Sequence, residues 1–526
     1  MKKAKLIVLA IILILSAVLR FYKLDQIPPS LNWDEVAAGY NAYTIANWGA
    51  DEYGNKFPLV FKSFEDDKHP VHIYLTAPIV KIFGLSDFSA RSSSALIGVF
   101  AVFVIYLLGR ELFKSNIAGL FSALFLAVSP YAIQYSRGLW EANFASSFFI
   151  AGLASFYIGL RKNNWLVPLS FAFWGLSFFS YHSAKVVVPP VVFLLCLIHA
   201  RKLIANKKIL IWSAIIVLFF AGLTIKNPKI LGFARINQTT FSKEVTAKYG
   251  GYIETVVNNY KGYFSYSYLF DKGDQNPRGS TKVIGEFYKI DLALSLIGIL
   301  VLARRKKWEA LFILFFWLAL SPIPGAVSMM EPNATRGIFM IGPTLILSAS
   351  GASALALLFR KNWIRVCIAG ILLVFLGWEV GNYLNYYFTE YSKKEAIEWQ
   401  YGMKQIVEYV KAHPEYDEVY MTAERQEPYI FYLFYFKTPL PLYLSTVKYN
   451  KTLSRPANTV AGYSKFHFGL WDPIESQPIP HVLYVVTPSD YTGLRYKLLF
   501  DTVYAVKYPN GSDAFFLVTA RSTFDQ

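Results

Sequence analysis

Cysteine and charged residues are scarce in this sequence of 526 residues, and each scarcity excludes a class of protein. The two cysteines, Cys196 and Cys367, both lie in apolar runs, so they provide neither a disulfide framework nor a zinc-binding spacing. Charged residues make up only 17% of the chain, whereas 54% is hydrophobic. Because the apolar residues occur in blocks of about 20, long enough to cross a bilayer, the composition predicts a polytopic α-helical membrane protein.

Several common catalytic motifs are also missing. The sequence contains no glycine-rich loop that could cradle phosphates, no nucleophile elbow and no zinc-binding helix motif. Nucleotide hydrolysis is therefore not expected to drive the reaction. Nucleotide sugars are cytoplasmic, so an enzyme acting on the outer face could not use them. An activated donor carried by the membrane would require neither nucleotide hydrolysis nor a nucleotide sugar.

The net charge of +17 reflects membrane topology rather than nucleic-acid binding. Eighteen of the 52 basic residues fall in short connections that we assign to the inner side, together with only two of the 35 acidic residues. The remaining 34 basic and 33 acidic residues nearly cancel. This distribution follows the bias of basic residues toward the cytoplasmic side, so no nucleic-acid partner is expected.

About eleven transmembrane helices are predicted, with the N-terminus inside and the C-terminus outside. Their approximate bounds are 6–22, 88–108, 117–134, 142–160, 165–181, 186–200, 209–225, 288–303, 309–323, 337–358 and 364–384. The first could be a signal peptide, but no small-residue cleavage site precedes Arg20, so we predict a retained anchor. The apolar run 71–83 is short for a span and fits an interfacial or re-entrant helix better.

Two modules are expected from this pattern. Residues 1–385 form a transmembrane module with large outer loops at about 23–85 and 226–287, and residues 386–526 form a small extracytoplasmic α/β domain. Residues 393–412 have the pattern of an amphipathic helix. Strands are predicted at 417–423, 481–487, 500–507 and 514–520.

Adjacent carboxylates, Asp34 and Glu35, follow Trp33 in the first outer loop, where a helix-like run begins. They could be the negatively charged first turn of a capped helix. Asp34 could instead be a general base, because a carboxylate near apolar surface can accept a proton from a hydroxyl. The residues alone leave both interpretations open.

Two further polar clusters lie on the predicted outer side. Lys68 and His69, within 66–70, belong either to a solvated loop or to a phosphate-binding segment, since both can donate hydrogen bonds. Arg137 and Glu141 lie in a tight connection between two spans. Charges beside lipid are costly unless paired or used, so these two either pair with each other or contact a ligand.

Two more clusters complete this outer set. Lys185, three residues after His182, could extend to the membrane interface, but it departs from the inner bias of basic residues and therefore favours an anionic partner. Arg336 ends the polar segment 324–336 beside a predicted span. Together with Arg137, they place three cations at membrane depth on one side, which predicts capture of a lipid-borne phosphate.

With these residues the chain resembles the membrane glycosyltransferases of the GT-C fold that use polyprenyl-phosphate sugars. That class includes protein O-mannosyltransferases (glycosyltransferase family 39) and the aminoarabinose transferase of lipid A. The resemblance rests on Trp33-Asp34-Glu35, Lys68-His69-Pro70, Ser136-Arg137 and Lys185. Its most specific parts are 269–280 and 324–336, which are similar to outer-loop signatures of bacterial members.

The resemblance implies an inverting transfer of a sugar from a polyprenyl-phosphate donor to a hydroxyl acceptor on a protein, lipid or cell-envelope glycan. Asp34 would deprotonate the acceptor for attack on the sugar C1, and Glu35 and His69 would support or contact that acceptor. The cations implied to hold the leaving phosphate are Lys68, Arg137, Lys185 and Arg336. Asp274 and Arg278 would help to close the outer loop, and Glu141 and His182 are further outer-face candidates.

The resemblance leaves metal use open. No cofactor is required by the sequence, but Mg²⁺ or Mn²⁺ could bind Asp34, Glu35 and Asp274, because hard cations favour oxygen ligands. Relatives often have Lys-Pro-Pro where this chain has Lys68-His69-Pro70.

A flippase or transporter for lipid-linked sugars is the main alternative, although the internal symmetry typical of transporters is not found. A membrane scaffold without catalytic activity is the third, and it would leave the outer cations unexplained.

Overall fold

The computed structural model describes residues 2–64, 66–232, 250–329, 331–358, 361–451, 458–470, 478–494 and 496–521. Its helices of eight or more residues are α1 Lys2–Phe21, α2 Trp33–Trp48, α3 Pro70–Phe83, α4 Asp87–Phe113, α5 Asn116–Val128, α6 Pro130–Arg137, α7 Glu141–Gly159, α8 Leu166–Phe178, α9 Ala184–Ile198, α10 Lys207–Lys226, α11 Tyr252–Gly262, α12 Lys289–Arg304, α13 Trp308–Leu320, α14 Ile341–Leu357, α15 Asn362–Thr389, α16 Met403–Ala412 and α17 Pro428–Phe436. Shorter helices are Ala200–Ala205, Ile323–Ala326, Tyr391–Lys394, Leu440–Thr446 and Pro488–Gly493.

Strands form two sheets in the described residues. The strands are β1 Phe61–Ser63, β2 Asp66–Lys68, β3 Glu418–Thr422, β4 Lys448–Tyr449, β5 Val460–Tyr463, β6 Phe466–Gly469, β7 Val482–Val486, β8 Phe500–Lys507 and β9 Asp513–Ala520. The first two pair with each other in antiparallel register, with Phe61 opposite Lys68. The other seven form one sheet in the order β4-β5-β6-β3-β7-β9-β8, in which β3 is parallel to both of its neighbours.

All eleven predicted spans coincide with helices. Among the residues that the structure describes, seven helices are long and apolar enough to cross a membrane, or eight if α5 and α6 form one bent span. The other three predicted spans are the shorter helices α8, α9 and α12. The chain is therefore a multi-pass helical membrane protein, as the apolar blocks predict.

The predicted span 117–134 is broken rather than straight. The axes of α5 and α6 differ by 56°. Ser129 ends the first helix and caps the second by accepting from the Ala132 amide, and Pro130 follows as the first residue of α6. Proline lacks an amide hydrogen and is favoured at a helix start, so Ser129-Pro130 produces the bend.

The chain divides into two compact units. The helical unit comprises Met1–Tyr22, His69–His72 and Ser93–Tyr387, and the α/β unit comprises Lys23–Lys68, Ile73–Ser92 and Phe388–Gln526. The first outer loop therefore groups with the C-terminal residues, except for the short stretch that begins at His69.

Small residues allow close helix packing in the helical unit. A Cβ atom added to Gly298 of α12 would come within 2.1 Å of the Leu347 carbonyl, and one added to Gly351 of α14 within 2.0 Å of the Leu294 carbonyl. Membrane helices use such residues to bring their backbones together. The backbones of α12 and α14 therefore pack directly against each other.

The α/β unit confirms the four predicted strands and corrects the predicted helix 393–412. That helix begins only at Met403, because Gly402 adopts a left-handed conformation with φ of 110° and residues 395–402 form turns. The strands β4, β5 and β6 were not predicted. The turn between β5 and β6 uses Ser464 at φ of 50° instead of glycine, so the sequence lacks the usual hairpin signal.

Candidate functional site

The N-terminus of α2, in the α/β unit, is organised by Asn32. The Asn32 side chain accepts from the backbone amides of Asp34 at 2.9 Å and Glu35 at 3.2 Å. In return, the Glu35 carboxylate accepts from the Asn32 amide at 3.1 Å, which completes a capping box. The cap is therefore Asn32, and the Asp34 side chain is not needed for it.

Glu35 forms a buried ion pair. Its two carboxylate oxygens accept from Nε and Nη2 of Arg91 at 2.9 and 3.1 Å, and both side chains are fully buried. Arg91 also donates to the carbonyls of Leu24, Pro28 and Ser30. The Glu35 carboxylate therefore holds the loop before α2 together, and its role in catalysis or at the acceptor stays a prediction.

Arg91 was not predicted from the sequence, although a signal for it exists. An arginine five residues into an apolar helix must find partners, because a buried unpaired charge is very costly. Gln400 was missed as well. Its side-chain oxygen accepts from the Trp33 amide at 2.8 Å, and nothing in the local sequence links positions so far apart.

Asp34 differs from its neighbour in exposure and partner. Its side chain is 36% exposed, and its Oδ1 accepts from Nζ of Lys68 at 2.5 Å. Lys68 ends β2, whose pairing with β1 fixes its position. An adjacent ammonium favours the ionised carboxylate, which is the form that a general base requires.

A histidine and lysine pair lies at the start of α9 in the helical unit. His69 is buried, and its Nε2 contacts Nζ of Lys185 at the start of α9. Burial, followed by the positive charge of Lys185, holds the pKa of His69 well below its usual value of 6.5. A neutral imidazole accepts at one nitrogen, so His69 positions Lys185, and its role at the donor phosphate stays a prediction.

Glu141 and His182 flank this pair. The Glu141 carboxylate lies 3.8 Å from Nδ1 of His69 and 4.0 Å from Nδ1 of His72. The rings of His69 and His182 meet edge to face with their centroids 4.3 Å apart. The structure thus brings together four residues that the sequence analysis placed in three separate clusters, namely His69, Glu141, His182 and Lys185.

Arg137 has a different environment from Lys185. It is fully buried at the end of α6, and its guanidinium donates to the carbonyls of Leu19 at 2.8 Å, Arg20 at 3.2 Å and Tyr22 at 2.8 Å. These carbonyls end α1, where a cation is favourable. The described contacts of Arg137 therefore cap α1, and its role at the donor phosphate stays a prediction.

Asp274 joins the two signature segments, 269–280 and 324–336. Its Oδ2 accepts from the Ala334 amide at 2.7 Å, and its Oδ1 accepts from the Asn276 amide at 2.8 Å. Burial raises the pKa of Asp274 to about 6, despite these hydrogen bonds. The two segments are far apart in sequence, and Asp274 fastens one to the other.

Two basic residues lie on the segments that Asp274 fastens. Arg336 is half-buried, and its Nη1 contacts the Ser328 hydroxyl. The backbone of Arg278 is held by Gln134 of α6, whose side chain donates to the Arg278 carbonyl at 2.9 Å. Both predicted residues therefore lie on anchored backbone, and their roles stay predictions.

The proposed metal ligands do not fit a metal. Glu35 is occupied by Arg91, and Asp274 by backbone amides. In the part of the chain that the structure describes, no group of three or more His, Cys, Asp or Glu side chains is arranged to hold an ion. We therefore derive no step through a metal.

Comparison with known proteins supports this assignment of the fold. The family profile described as dolichyl-phosphate-mannose-protein mannosyltransferase matches residues 67–225, which is less than half of the chain. This stretch contains Lys68, His69, Arg137, Glu141 and Lys185. No curated protein sequence matches the chain.

Solved structures match over nearly the full length. ArnT from Cupriavidus metallidurans bound to undecaprenyl phosphate is 14% identical, with 98% of each chain covered and a TM-score of 0.61. The apo state of the same protein is 13% identical, again with 98% of each chain covered, at 0.56. The archaeal oligosaccharyltransferase AglB from Archaeoglobus fulgidus, in complex with an inhibitory peptide and a dolichol-phosphate, is 14% identical over 82% of this chain and 64% of its own, at 0.52. The predicted GT-C type of fold is thereby confirmed.

Proposed function

We propose that this protein is an inverting glycosyltransferase that moves a sugar from a polyprenyl-phosphate donor to a hydroxyl acceptor. The observation that carries the proposal is the Asp34–Lys68 pair, a half-exposed carboxylate held at a capped helix start within a GT-C type fold. The family profile over 67–225 supports the same donor class. So do the bound undecaprenyl phosphate and dolichol-phosphate of the matching structures.

Asp34 is the general base of this reaction. It takes the proton of the acceptor hydroxyl while the hydroxyl oxygen bonds to the sugar C1 from the face opposite the phosphate. The bond between C1 and the phosphate oxygen breaks, and its electron pair leaves with the polyprenyl phosphate. Attack from the opposite face inverts the configuration at C1.

Four cations are candidates for stabilising the leaving phosphate, namely Lys68, Arg137, Lys185 and Arg336. Positive charge placed where negative charge develops lowers the barrier. Lys185 suits this role because its contact with the buried His69 fixes its position at the start of α9. The described partner of Arg336 is the Ser328 hydroxyl, which carries no counter-charge.

The protein acts on the outer face of the plasma membrane in this proposal. The basic inner connections support that orientation, and a membrane-carried donor removes the need for a nucleotide sugar. The acceptor is a protein, a lipid or a cell-envelope glycan. Its hydroxyl is the only feature that the chemistry of Asp34 requires.

The test uses the purified full chain with a panel of radiolabelled polyprenyl-phosphate sugars and a crude acceptor fraction. We expect Asp34→Asn to lower transfer by about 10²- to 10⁴-fold, the usual contribution of a general base. Asp25→Asn, which neutralises an exposed acid of the same loop, should transfer like wild type. Thermal unfolding of each variant establishes that the loss is not a loss of folded protein.

The outcomes separate the alternatives. Equal transfer by wild type and Asp34→Asn would exclude Asp34 as the base. Movement of intact lipid-linked sugar across the bilayer, with no transfer from any donor, would replace the proposal with the flippase alternative.

A further inference from the structure

A second polar site lies in the helical unit at the other end of α7 from Glu141. It is a cavity of about 350 Å³ lined by Glu111, Leu112, Lys114, Tyr157, Leu160, Arg161, His199, Lys202, Lys306, Lys307, Trp308, Glu309 and Ala310. The 19 residues of α7 span about 28 Å, so this cavity is separate from the cluster around Glu141 and Lys185. Its volume falls in the range of small-molecule sites, roughly 300–1,000 Å³.

The cavity carries excess positive charge. Five basic side chains and two carboxylates line it. Glu111 is already neutralised, because it accepts from Arg110 at 3.0 Å, Arg161 at 2.8 Å and Lys162 at 2.9 Å. In the described part of the chain, by contrast, no ion pair is formed by the lysines of the lining, Lys114, Lys202, Lys306 and Lys307.

One wall is polar and preorganised. The Tyr157 hydroxyl donates to Glu309 at 3.2 Å, and Nε2 of His199 lies 3.1 Å from the same oxygen. The Glu309 carboxylate is therefore held within the lining, where the four lysines outnumber it. The arrangement is a built pocket, whereas a topology signal alone requires only basic residues spread over the connecting loops.

Its position indicates where a ligand would come from. The pocket is walled by the ends of α4, α7 and α9 and by the start of α13, all of them apolar helices. Trp308 at its rim is 59% exposed, and tryptophan is enriched at the level of lipid headgroups. A helix start such as that of α13 also favours negative charge.

We propose that this pocket binds a phosphate group, supplied by the headgroup of an anionic phospholipid or by free phosphate. Lysine ammonium groups are compact charges suited to phosphate, and basic pockets between membrane helices are suited to lipid headgroups. The site is independent of the glycosyltransferase reaction proposed above, since its residues take no part in that chemistry.

The experiment titrates the purified full chain in uncharged detergent with short-chain phosphatidylglycerol, with short-chain diacylglycerol and with inorganic phosphate, followed by calorimetry. We expect saturable binding of phosphatidylglycerol and none of diacylglycerol. The pocket variant is Lys202→Gln with Lys307→Gln. It should bind about 30-fold more weakly, because each lysine near an anionic surface contributes roughly fivefold.

A matched variant removes the same charge from the same end of the bundle. Lys207→Gln with Lys208→Gln neutralises two exposed lysines that do not line the cavity, and it should bind like wild type. Lys202→Arg with Lys307→Arg keeps the charge and should restore binding, which controls for folding. Inorganic phosphate binding as tightly as the lipid would identify free phosphate as the source. Equal losses in both glutamine variants, or no saturable binding of either phosphate compound, would overturn the proposal.

Discussion

Neutralising each of the two adjacent carboxylates of the first outer loop is expected to change the stability of the protein by a different amount. Glu35→Gln should destabilise the protein, whereas Asp34→Asn should leave its stability nearly unchanged. The reason is burial. Glu35 and Arg91 are fully buried, whereas Asp34 is 36% exposed beside Lys68. The same chemical change therefore removes a buried ion pair in one case and a solvent-screened pair in the other.

The magnitudes follow from that difference. Removing one partner of a buried pair leaves an uncompensated charge and costs about 3–5 kcal/mol. Glutamine retains one oxygen that can still accept from the Asn32 amide, so this cost comes mainly from Arg91. A partly exposed pair such as Asp34–Lys68 contributes only about 0.2–1 kcal/mol. The loss of unfolding free energy should therefore be several-fold larger for Glu35→Gln than for Asp34→Asn.

Thermal and denaturant unfolding in detergent, followed by circular dichroism, measures both variants beside wild type. The double variant, Glu35→Gln with Arg91→Gln, measures the coupling free energy between the two residues. We expect it to be less destabilised than the sum of its single variants by about 0.5–3 kcal/mol, since the buried charge has also been removed. A Glu35→Gln protein that is as stable as wild type but inactive would refute this reasoning and make Glu35 a catalytic group.

Two further variants test other buried charges. Burial, followed by the neighbouring Asp51, raises the pKa of Glu52 to about 8 from 4.5. The folded state therefore binds the extra proton, and wild-type stability should fall by up to about 1.4 kcal/mol per pH unit between pH 5 and 8. Thermal unfolding across that range should show a flatter profile for Glu52→Gln, and an unchanged slope would contradict the assignment. Arg137→Gln should lose more than about 3 kcal/mol, because charged hydrogen bonds to the Leu19 and Tyr22 carbonyls contribute about 1.5–3 kcal/mol each. We expect no change in the donor KM of the protein that remains folded, and a raised KM at wild-type stability would assign Arg137 to the phosphate site.

Much of the fold could be predicted because its signals are local. An apolar run of sufficient length is a helix in a membrane, since the backbone must satisfy its own hydrogen bonds there. The strand predicted at 500–507 has the same bounds in the structure. The failures occurred where local signals were absent or misleading. Residues 393–412 have a helical period, but Gly402 interrupts it in a left-handed conformation, and the β5–β6 turn contains no glycine.

The candidate site was predicted less well, because the role of a charged residue depends on partners that are distant in sequence. Arg91 and Glu35 are 56 residues apart, and Gln400 reaches Trp33 across 367 residues. No local pattern encodes either contact. Asp34 and Glu35 are neighbours with the same charge, and only the position of Arg91 separates a buried structural carboxylate from an exposed one.

The same dependence separates two cations that looked equivalent in sequence. Arg137 and Lys185 both lie at span ends on the predicted outer side. Arg137 donates to three backbone carbonyls at the end of α1. Lys185 instead contacts the imidazole of His69, and the Glu141 carboxylate acts on it electrostatically. One cation is therefore held by backbone and the other by side chains from two other segments, and no local sequence pattern encodes that difference.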